Sequence, residues 1–428
     1  MTTREDCARR DRGDPLAALR EQFVMPAGVI YLDGNSLGPL PKRTASRVQQ
    51  VVREEWGAGL IGSWNTAGWI DMPQRVGDRI ARLVGVGAGE LLVGDSTSVN
   101  LYKVLSAALD LARIDAPARN VILSERHNFP TDLYIAESVA RERGLELRLV
   151  DAGELAAHLD DSVVVLLLTH VNYRNGRMHD MPALNRAAHA AGALTVWDLA
   201  HSAGAVPVNL AGDGLPDSAA DFAVGCGYKY LNGGPGAPAF VWAHPARSAR
   251  MDALALGQPL SGWLGHAAPF DFAPNYRPAS GIARFACGTP PILSLAALEC
   301  GVDTVLAAEA LGGMPALRQK SLALTQLCIE LVDARCGGMG LMLRTPRDPA
   351  LRGSQVSYSR EDGAYAIMQA LVSRGVVGDF RAPDVMRFGF APLYTRYADV
   401  WDAVEHLRQV LDGGEWREDR FGQRATVT

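Results

Sequence analysis

No two of the six cysteines stand as a CxxC pair, and none is spaced with histidines as metal ligands are. Cys7, Cys226, Cys287, Cys300, Cys328 and Cys336 therefore argue against a zinc site or a disulfide framework, and fit a reducing cytoplasm. Long hydrophobic runs are missing too. The longest, Val163–Leu168, falls far short of the ~20 residues that cross a bilayer. Met1–Arg12 is polar and charged, so no signal peptide is expected there. The net charge is −5, with Lys and Arg scattered among acids, so no basic footprint for nucleic acid is expected. Internal repeats, low-complexity tracts and an obvious linker are absent as well. What remains is a chain whose expected partner is a small molecule.

With 428 residues, 48% of them hydrophobic and 21% charged, the chain can build one large domain with a generous core and a smaller one. A short strand, Val29–Leu32, runs into the Gly- and Pro-rich stretch Asp33–Pro41, and a helical pattern follows from Arg43 to Trp56. Leu91–Gly94 reads as a strand, with a helix from about Asp95 to Leu111. Strands and helices then alternate: Val121–Ser124, Thr131–Arg143, Leu145–Val150, Glu154–Leu159, Val163–Thr169, Met181–Ala191, Leu194–Asp198. Apolar strands between amphipathic helices predict a mainly parallel sheet covered on both faces. From about Ser294 the chain is helical through Cys336. Short strands near Gly340–Leu343, Gln355–Tyr358, Val376–Asp379 and Val385–Phe388 then alternate with helices at Gly363–Ser373 and Tyr397–Leu411. Residues 1–14 read as a mobile or loosely docked lead.

The chemistry is expected in Asp221–Phe240, DFAVGCGYKYLNGGPGAPAF. Asp221–Cys226 reads as a buried strand end, Gly227 as a sharp turn, and Ala237–Ala243 as a second strand. Lys229 thus stands at a strand end beside a flexible loop, where a desolvated amine can form a Schiff base. The plain alternative is a surface lysine in a turn. A second element weighs against it: TVWDLAHSAGA, residues 195–205, closes a strand on Asp198 with His201 three residues later. A lysine for an aldehyde and a carboxylate for a ring nitrogen are what pyridoxal phosphate (PLP) requires. Phe129–Asp132, Thr169, Asp198 and Lys229 all fall at or beyond carboxyl ends of strands, where such sheets gather ligands.

Seven blocks, in order along nearly the whole chain, carry a resemblance: YLDGNSLGPLP (31–41), HNFPTD (127–132), WDLAHSAGA (197–205), GYKYLNGGPG (227–236), GWLGH (262–266), FACGTPPIL (285–293) and MRFGFAPLY (386–394). They resemble the kynureninase family of fold type I PLP enzymes. The resemblance implies a large PLP-binding domain with a mainly parallel sheet (51–300), a small C-terminal α/β domain (301–428), and an N-terminal segment (1–50) packing partly with the small domain. It implies that Lys229 carries the cofactor and moves protons, that Asp198 pairs with the ring nitrogen, and that Phe129 stacks on the ring. Thr97 and Ser98, at a helix start, are assigned to the phosphate. Pro130, Thr131, Asp132, Thr169, His201 and Tyr228 are implied as cofactor contacts, with Tyr228 also the candidate acid at the γ-carbonyl. Trp263 and Thr289 are implied to reach the phosphate from the neighbouring subunit of a homodimer. Arg387 is implied to grip the substrate α-carboxylate as a bidentate fork, with Asn35 and Trp64 as further substrate contacts. The implied reaction is hydrolysis of L-kynurenine to anthranilate and L-alanine, in tryptophan breakdown or NAD biosynthesis. Thr289 leans toward kynurenine over its 3-hydroxy form.

Three rival readings remain open at this point. Gly34-Asn35-Ser36-Leu37-Gly38 matches the GxSxG elbow of a serine hydrolase, although Pro39 and Pro41 delay the helix the elbow needs. A cysteine desulfurase or aminotransferase shares the implied fold. Desulfurases, however, carry histidine where Tyr228 stands, and Cys336 is the nearest thing to their mobile cysteine. A catalytically silent PLP-fold binding protein is opposed by Lys229, Asp198 and Arg387 occurring together.

Overall fold

The structure is a computed structural model and describes residues 2–424. Met1 and residues 425–428, the last of the expected small domain, lie outside the described residues. A short strand, β1 (Ile30–Tyr31), precedes a seven-stranded sheet. That sheet comprises β2 (Leu91–Val93), β3 (Val121–Glu125), β4 (Glu146–Val150), β5 (Val163–Thr169), β6 (Leu194–Asp198), β7 (Phe222–Gly225) and β8 (Phe240–Ala243). Its order is β2-β8-β7-β6-β5-β3-β4, and β8 runs antiparallel to both neighbours while the paired strands from β4 to β7 are parallel. Such a sheet needs two apolar faces, because helical crossovers cover both. β5 supplies them: Leu166 and Leu168 enter one core layer, Val165 and Leu167 the other. Helices Met72–Val84 and Thr97–Asp115 close opposite faces with Val76 and Ile80, and with Leu101 and Leu105.

Beyond helix Gly313–Arg335 come β9 (Met342–Leu343), β10 (Gln355–Ser359), β11 (Val376–Val377), β12 (Asp379–Arg381) and β13 (Val385–Gly389). Four of these form an antiparallel sheet, β12-β13-β10-β9, whereas β11 pairs in parallel with β1. The core against this second sheet, from Leu324 to Phe421, also takes in Cys7 and Leu32 from the N-terminal segment.

Several expectations change. Residues 1–14 are docked, not loose. Thr3 caps helix Arg4–Arg12 through a reciprocal bond with Asp6, Cys7 is fully buried, and the Asp11 carboxylate accepts the Tyr397 and Ala398 N–H groups at the start of helix Tyr397–Gly413. The polar composition conceals this because the docking is made by caps and charges around one buried cysteine. The helical pattern to Trp56 holds as a helix only over Lys42–Gln50 and then widens to i→i+5 turns over Val51–Trp56. The strand expected over Ala237–Ala243 begins at Phe240, since Gly234–Ala237 closes a turn just before it. Val376–Asp379 splits between two sheets.

Ser36 sits on no elbow. The two-residue β1 lies outside the main sheet, helix does not resume until Lys42, and the Ser36 hydroxyl donates to Asp379 at 2.7 Å instead of to a histidine.

Candidate active site

Parallel register lays the strand ends side by side: Thr169 of β5 opposite Asp198 of β6, and Asp198 opposite Val224 of β7. Four residues beyond β7, Lys229 turns back over these ends. Gly227 permits that turn, because a Cβ there would lie 2.4 Å from the Pro238 carbonyl oxygen. The result is a cavity of about 490 Å³ lined by Ser96, Thr97, Ser98, Phe129, Thr131, Asp132, Thr169, Asp198, His201, Tyr228, Lys229 and Thr289, among others.

Lys229 Nζ is 2.9 Å from His201 Nε2, and lies 5.8 Å and 5.7 Å from the ring centres of Phe129 and Tyr228. Burial, then the charges of Lys229, Arg387 and Arg381, hold His201 well below the ordinary histidine range. It is neutral, so Nε2 accepts from Lys229, and its buried Nδ1 has no partner among the described residues. Burial pushes both Asp198 and Asp132 up. Asp132 goes much further, because the Asp198 charge opposes a second one, whereas Lys229 and the Ala200 N–H restrain Asp198. The pair therefore keeps one proton, on Asp132, and one charge, on Asp198. Thr169 Oγ1 ties this floor together by bonding Asn128 and, at 3.2 Å, Asp132.

At the opposite wall, helix Thr97–Asp115 starts under a cap in which Ser96 Oγ accepts the Val99 N–H at 3.3 Å. Ser96, Thr97 and Ser98 at this start line the cavity, and hydroxyls at a helix N-terminus make an anion site. Asp95, just before it, has a left-handed backbone (φ 52°) and pairs with the fully buried Lys103, which also donates to the Phe285 carbonyl at 2.7 Å.

These groups fit PLP. They offer a buried amine for an aldehyde, a charged carboxylate for a ring nitrogen, an aromatic face in Phe129, and an anion cup with an unpartnered imidazole nitrogen nearby.

Comparison with known proteins decides the family. The class-V aminotransferase family matches residues 30–350, and the kynureninase C-terminal domain family matches residues 317–407. Curated relatives described as kynureninase match over 100% of both chains, at 56% identity for Burkholderia pseudomallei (strain K96243) and 54% for Pseudomonas fluorescens. The chain belongs to the kynureninase family. Solved structures add the fold alone. An apo cysteine desulfurase from Thermococcus onnurineus NA1 aligns with TM-score 0.74 at 17% identity, covering 92% of this chain and 98% of that one. A C-DES mutant with glycine covalently linked to its PLP cofactor aligns with TM-score 0.75 at 16% identity over 92% and 98%.

Of the residues expected at a kynureninase site, the cavity gathers all but five. Pro130 opens helix Pro130–Arg143 behind Phe129 and is not part of the lining. Trp64 packs edge-on against Trp69 at 6.0 Å. Asn35 is fully buried against Gly389, with neither amide atom partnered. Trp263 lies outside the cavity against Phe270, whereas Thr289 lines the cavity of its own chain. Arg387 differs most from expectation. The β12–β13 register puts Asp379 directly across from it, and the fork closes on that carboxylate, with Nε donating at 2.6 Å. Nη1 donates to the Tyr173 carbonyl and Nη2 to Ser36, so the side chain is 1% exposed.

Sequence reasoning missed Asn128, although it lies within the HNFPTD block, the Asp95–Lys103 pair, and the cluster of Asp33, Asp379 and Arg381 around Ser36. A larger open cleft of about 710 Å³ lies between residues 20–30 and helix Tyr397–Gly413. Its charges are satisfied locally, Asp399 by Arg20 and Arg396, Asp402 by Arg4, and Glu405 by Arg335.

Proposed function

We propose that this chain cleaves the Cβ–Cγ bond of L-kynurenine by hydrolysis, giving anthranilate and L-alanine, with PLP as cofactor. The observation that carries the reading is the convergence of Lys229, Asp198, neutral His201 and the Thr97 helix start on one cavity, in a chain of the kynureninase family.

Bound PLP would supply an electron sink for charge developing at the substrate's α-carbon. Lys229 would hold the cofactor through its aldehyde, and its amine is placed in the cavity to move the proton at the substrate α-carbon. His201, accepting from Lys229, keeps that amine oriented along its Nε2 lone pair. Asp198, kept charged by its neutral neighbour Asp132, would hold a proton on the ring nitrogen of the bound cofactor. Thr97 and Ser98 offer hydroxyls and N–H groups to the phosphate. Burial pushes the Tyr228 phenol upward, so it retains its proton across the working range and serves as a donor at the γ-carbonyl where water adds. Arg387, closed on Asp379, centres the positive charge that draws the α-carboxylate, and Arg381, with 38% of its side chain exposed, completes that subsite.

The finer parts of the reading are homodimerisation, a cytoplasmic location, preference for kynurenine over 3-hydroxykynurenine, and a place in tryptophan breakdown or NAD supply. Trp263, Phe270 and Phe272, exposed by 36%, 65% and 80%, support a partner surface next to Thr289. Six free cysteines suit a reducing compartment. Within the division at 1–50, 51–300 and 301–428, the packing of the N-terminal segment with the small domain is supported by the core that joins Cys7 and Leu32 to the second sheet, while Leu16, Leu19 and Phe23 join the first core.

Incubation with each of the two substrates, quantifying aromatic amine and alanine, tests the function. Equimolar anthranilate and alanine from kynurenine is the expected result. Amine loss or transfer without alanine would point to an aminotransferase instead.

A further inference from the structure

The carboxylate subsite contains more charge than it needs to hold one substrate anion. Ser36 Oγ is its hub. It donates to Asp379 Oδ2 at 2.7 Å and accepts from Arg387 Nη2 at 3.2 Å and from Arg381 Nη2 at 3.4 Å. Both Asp379 oxygens are taken, Oδ1 by Arg387 Nε at 2.6 Å and Oδ2 by Arg387, Ser36 and Arg381. Asp33 begins the same turn, with its carbonyl accepting the Ser36 N–H at 2.9 Å and the Leu37 N–H at 3.0 Å. Its buried Oδ1 has no partner among the described residues.

The subsite also borders the cavity. Arg387 donates to the Tyr173 carbonyl, and the Tyr173 ring packs 5.2 Å from that of Phe129, which lines the cavity. From the other side, the Gly38 N–H bonds the carbonyl of Tyr228 at 2.8 Å.

Counting charge decides what Asp33 does. Two guanidinium groups and Asp379 leave one positive charge, and an ionised Asp33 cancels it. We propose that Asp33 sets the charge of this subsite, taking up a proton as the substrate carboxylate settles beside Arg381 and Arg387 and weakening that binding when it ionises. The inference rests on the carboxylate being held at this arginine pair, as read above.

The other titratable groups facing Asp33 keep their charge near neutrality. Asp379 on β12 is drawn up by burial, but the hydrogen bond and charge of Arg387, with Arg381, carry it below the usual range. Tyr31 on β1, Tyr230 beyond Lys229 and Tyr394 beyond β13 are all pushed up by burial and stay neutral. Asp33 itself is pushed up to about 7 by burial and by the Asp379 charge, against the pull of Ser36, Arg387 and Arg381. Below that point the subsite has a net positive charge; above it, none.

The test uses the holoenzyme and a desamino analogue of kynurenine, which keeps the carboxylate and aryl ketone but cannot bond to the cofactor. Calorimetry at about pH 7 in two buffers of different ionisation enthalpy reads protons taken up on binding, with roughly half a proton expected for a group titrating there. Affinity should fall by up to about tenfold per pH unit above that point. Asp33→Asn should abolish the uptake and flatten the pH dependence, and the uncharged amide of the analogue should give no uptake with either protein. No proton uptake by the wild type, which needs no variant, overturns the inference, as does unchanged uptake in Asp33→Asn. Arg381→Met and Arg387→Met separate the two readings. If they lose affinity for the analogue while Asp33→Asn behaves as wild type, the carboxylate site stands and the role of Asp33 falls. If both arginine variants bind the analogue normally, the carboxylate site falls, and the Asp33 inference with it.

Discussion

Lys229 is 9% exposed, yet its amine has one polar partner of its own, a neutral imidazole. A buried lysine with no carboxylate bonded directly to it is costly to keep for stability alone, even with the Asp198 charge nearby. Removing it should therefore relieve the fold while ending covalent capture. Lys229→Ala should bind PLP reversibly, release it on dialysis, and unfold no earlier than the wild type. After borohydride reduction of the wild type, a peptide digest should place the adduct on Lys229; an adduct on any other lysine would remove it from this role. Lys229 and Asp198 were legible in the sequence because each lies at or a few residues beyond the end of an apolar run, with Gly227 or Ala200 two residues away, so strand and reactive group sit within one window. Asp33, Asp379 and Arg381 were not. They meet across about 350 residues of chain, and each is an unremarkable charged residue in its own window.

At the scale of elements, buried strands were the most readable features. β5 and β6 have the bounds their apolar runs imply, since a strand covered on both faces has no polar positions to blur its ends. Helix starts were readable too, but not what steadies them. Lys103 has no signature within helix Thr97–Asp115, because an isolated lysine on an apolar face shows its role only through Asp95 and Phe285. Its charge cancels that of Asp95, which borders the same cavity as Thr97 and Ser98. Lys103→Met fills the same space but leaves Asp95 facing the phosphate as a bare carboxylate. Like charges that close, partly shielded by solvent, are worth on the order of 1–2 kcal/mol. PLP should then bind roughly 5- to 30-fold more weakly to Lys103→Met, as read by fluorescence titration of the apoprotein. Unchanged affinity, with the helix intact by circular dichroism, would show that the pair has no part in holding the phosphate.

Over the whole molecule, the N-terminal segment binds distant parts of the chain together, which its polar composition did not announce. Its helix caps Tyr397–Gly413. Its end is fastened by a salt bridge between Asp14 and Lys320 at 2.6 Å, with side chains 7% and 6% exposed. Phe23 then packs on Tyr394 at 5.3 Å, and β1 pairs with β11 before the chain reaches Asp33. Losing one partner of a buried pair strands the other, a penalty of roughly 3–5 kcal/mol. Asp14→Ala should therefore lower urea-unfolding stability by about 3 kcal/mol at neutral pH. The pH dependence identifies the cause. Burial already draws Lys320 below the ordinary lysine range, held back by its hydrogen bond to Asp14 and that carboxylate's charge. Without Asp14 it falls further, so the folded variant binds fewer protons than the unfolded chain between the depressed value and the ordinary one. Stability then rises with pH across that window. The deficit of Asp14→Ala should shrink markedly between about pH 7 and about pH 9.5, as Lys320 becomes neutral in the fold before it does in the unfolded chain. Asp14→Asn, which keeps a hydrogen-bond acceptor, should lose less than Asp14→Ala at either pH. A deficit that stays constant with pH would mean that the lost stability comes from the Asp14 turn, whose carboxylate also accepts the Leu16 N–H at 2.9 Å, and not from an abandoned charge.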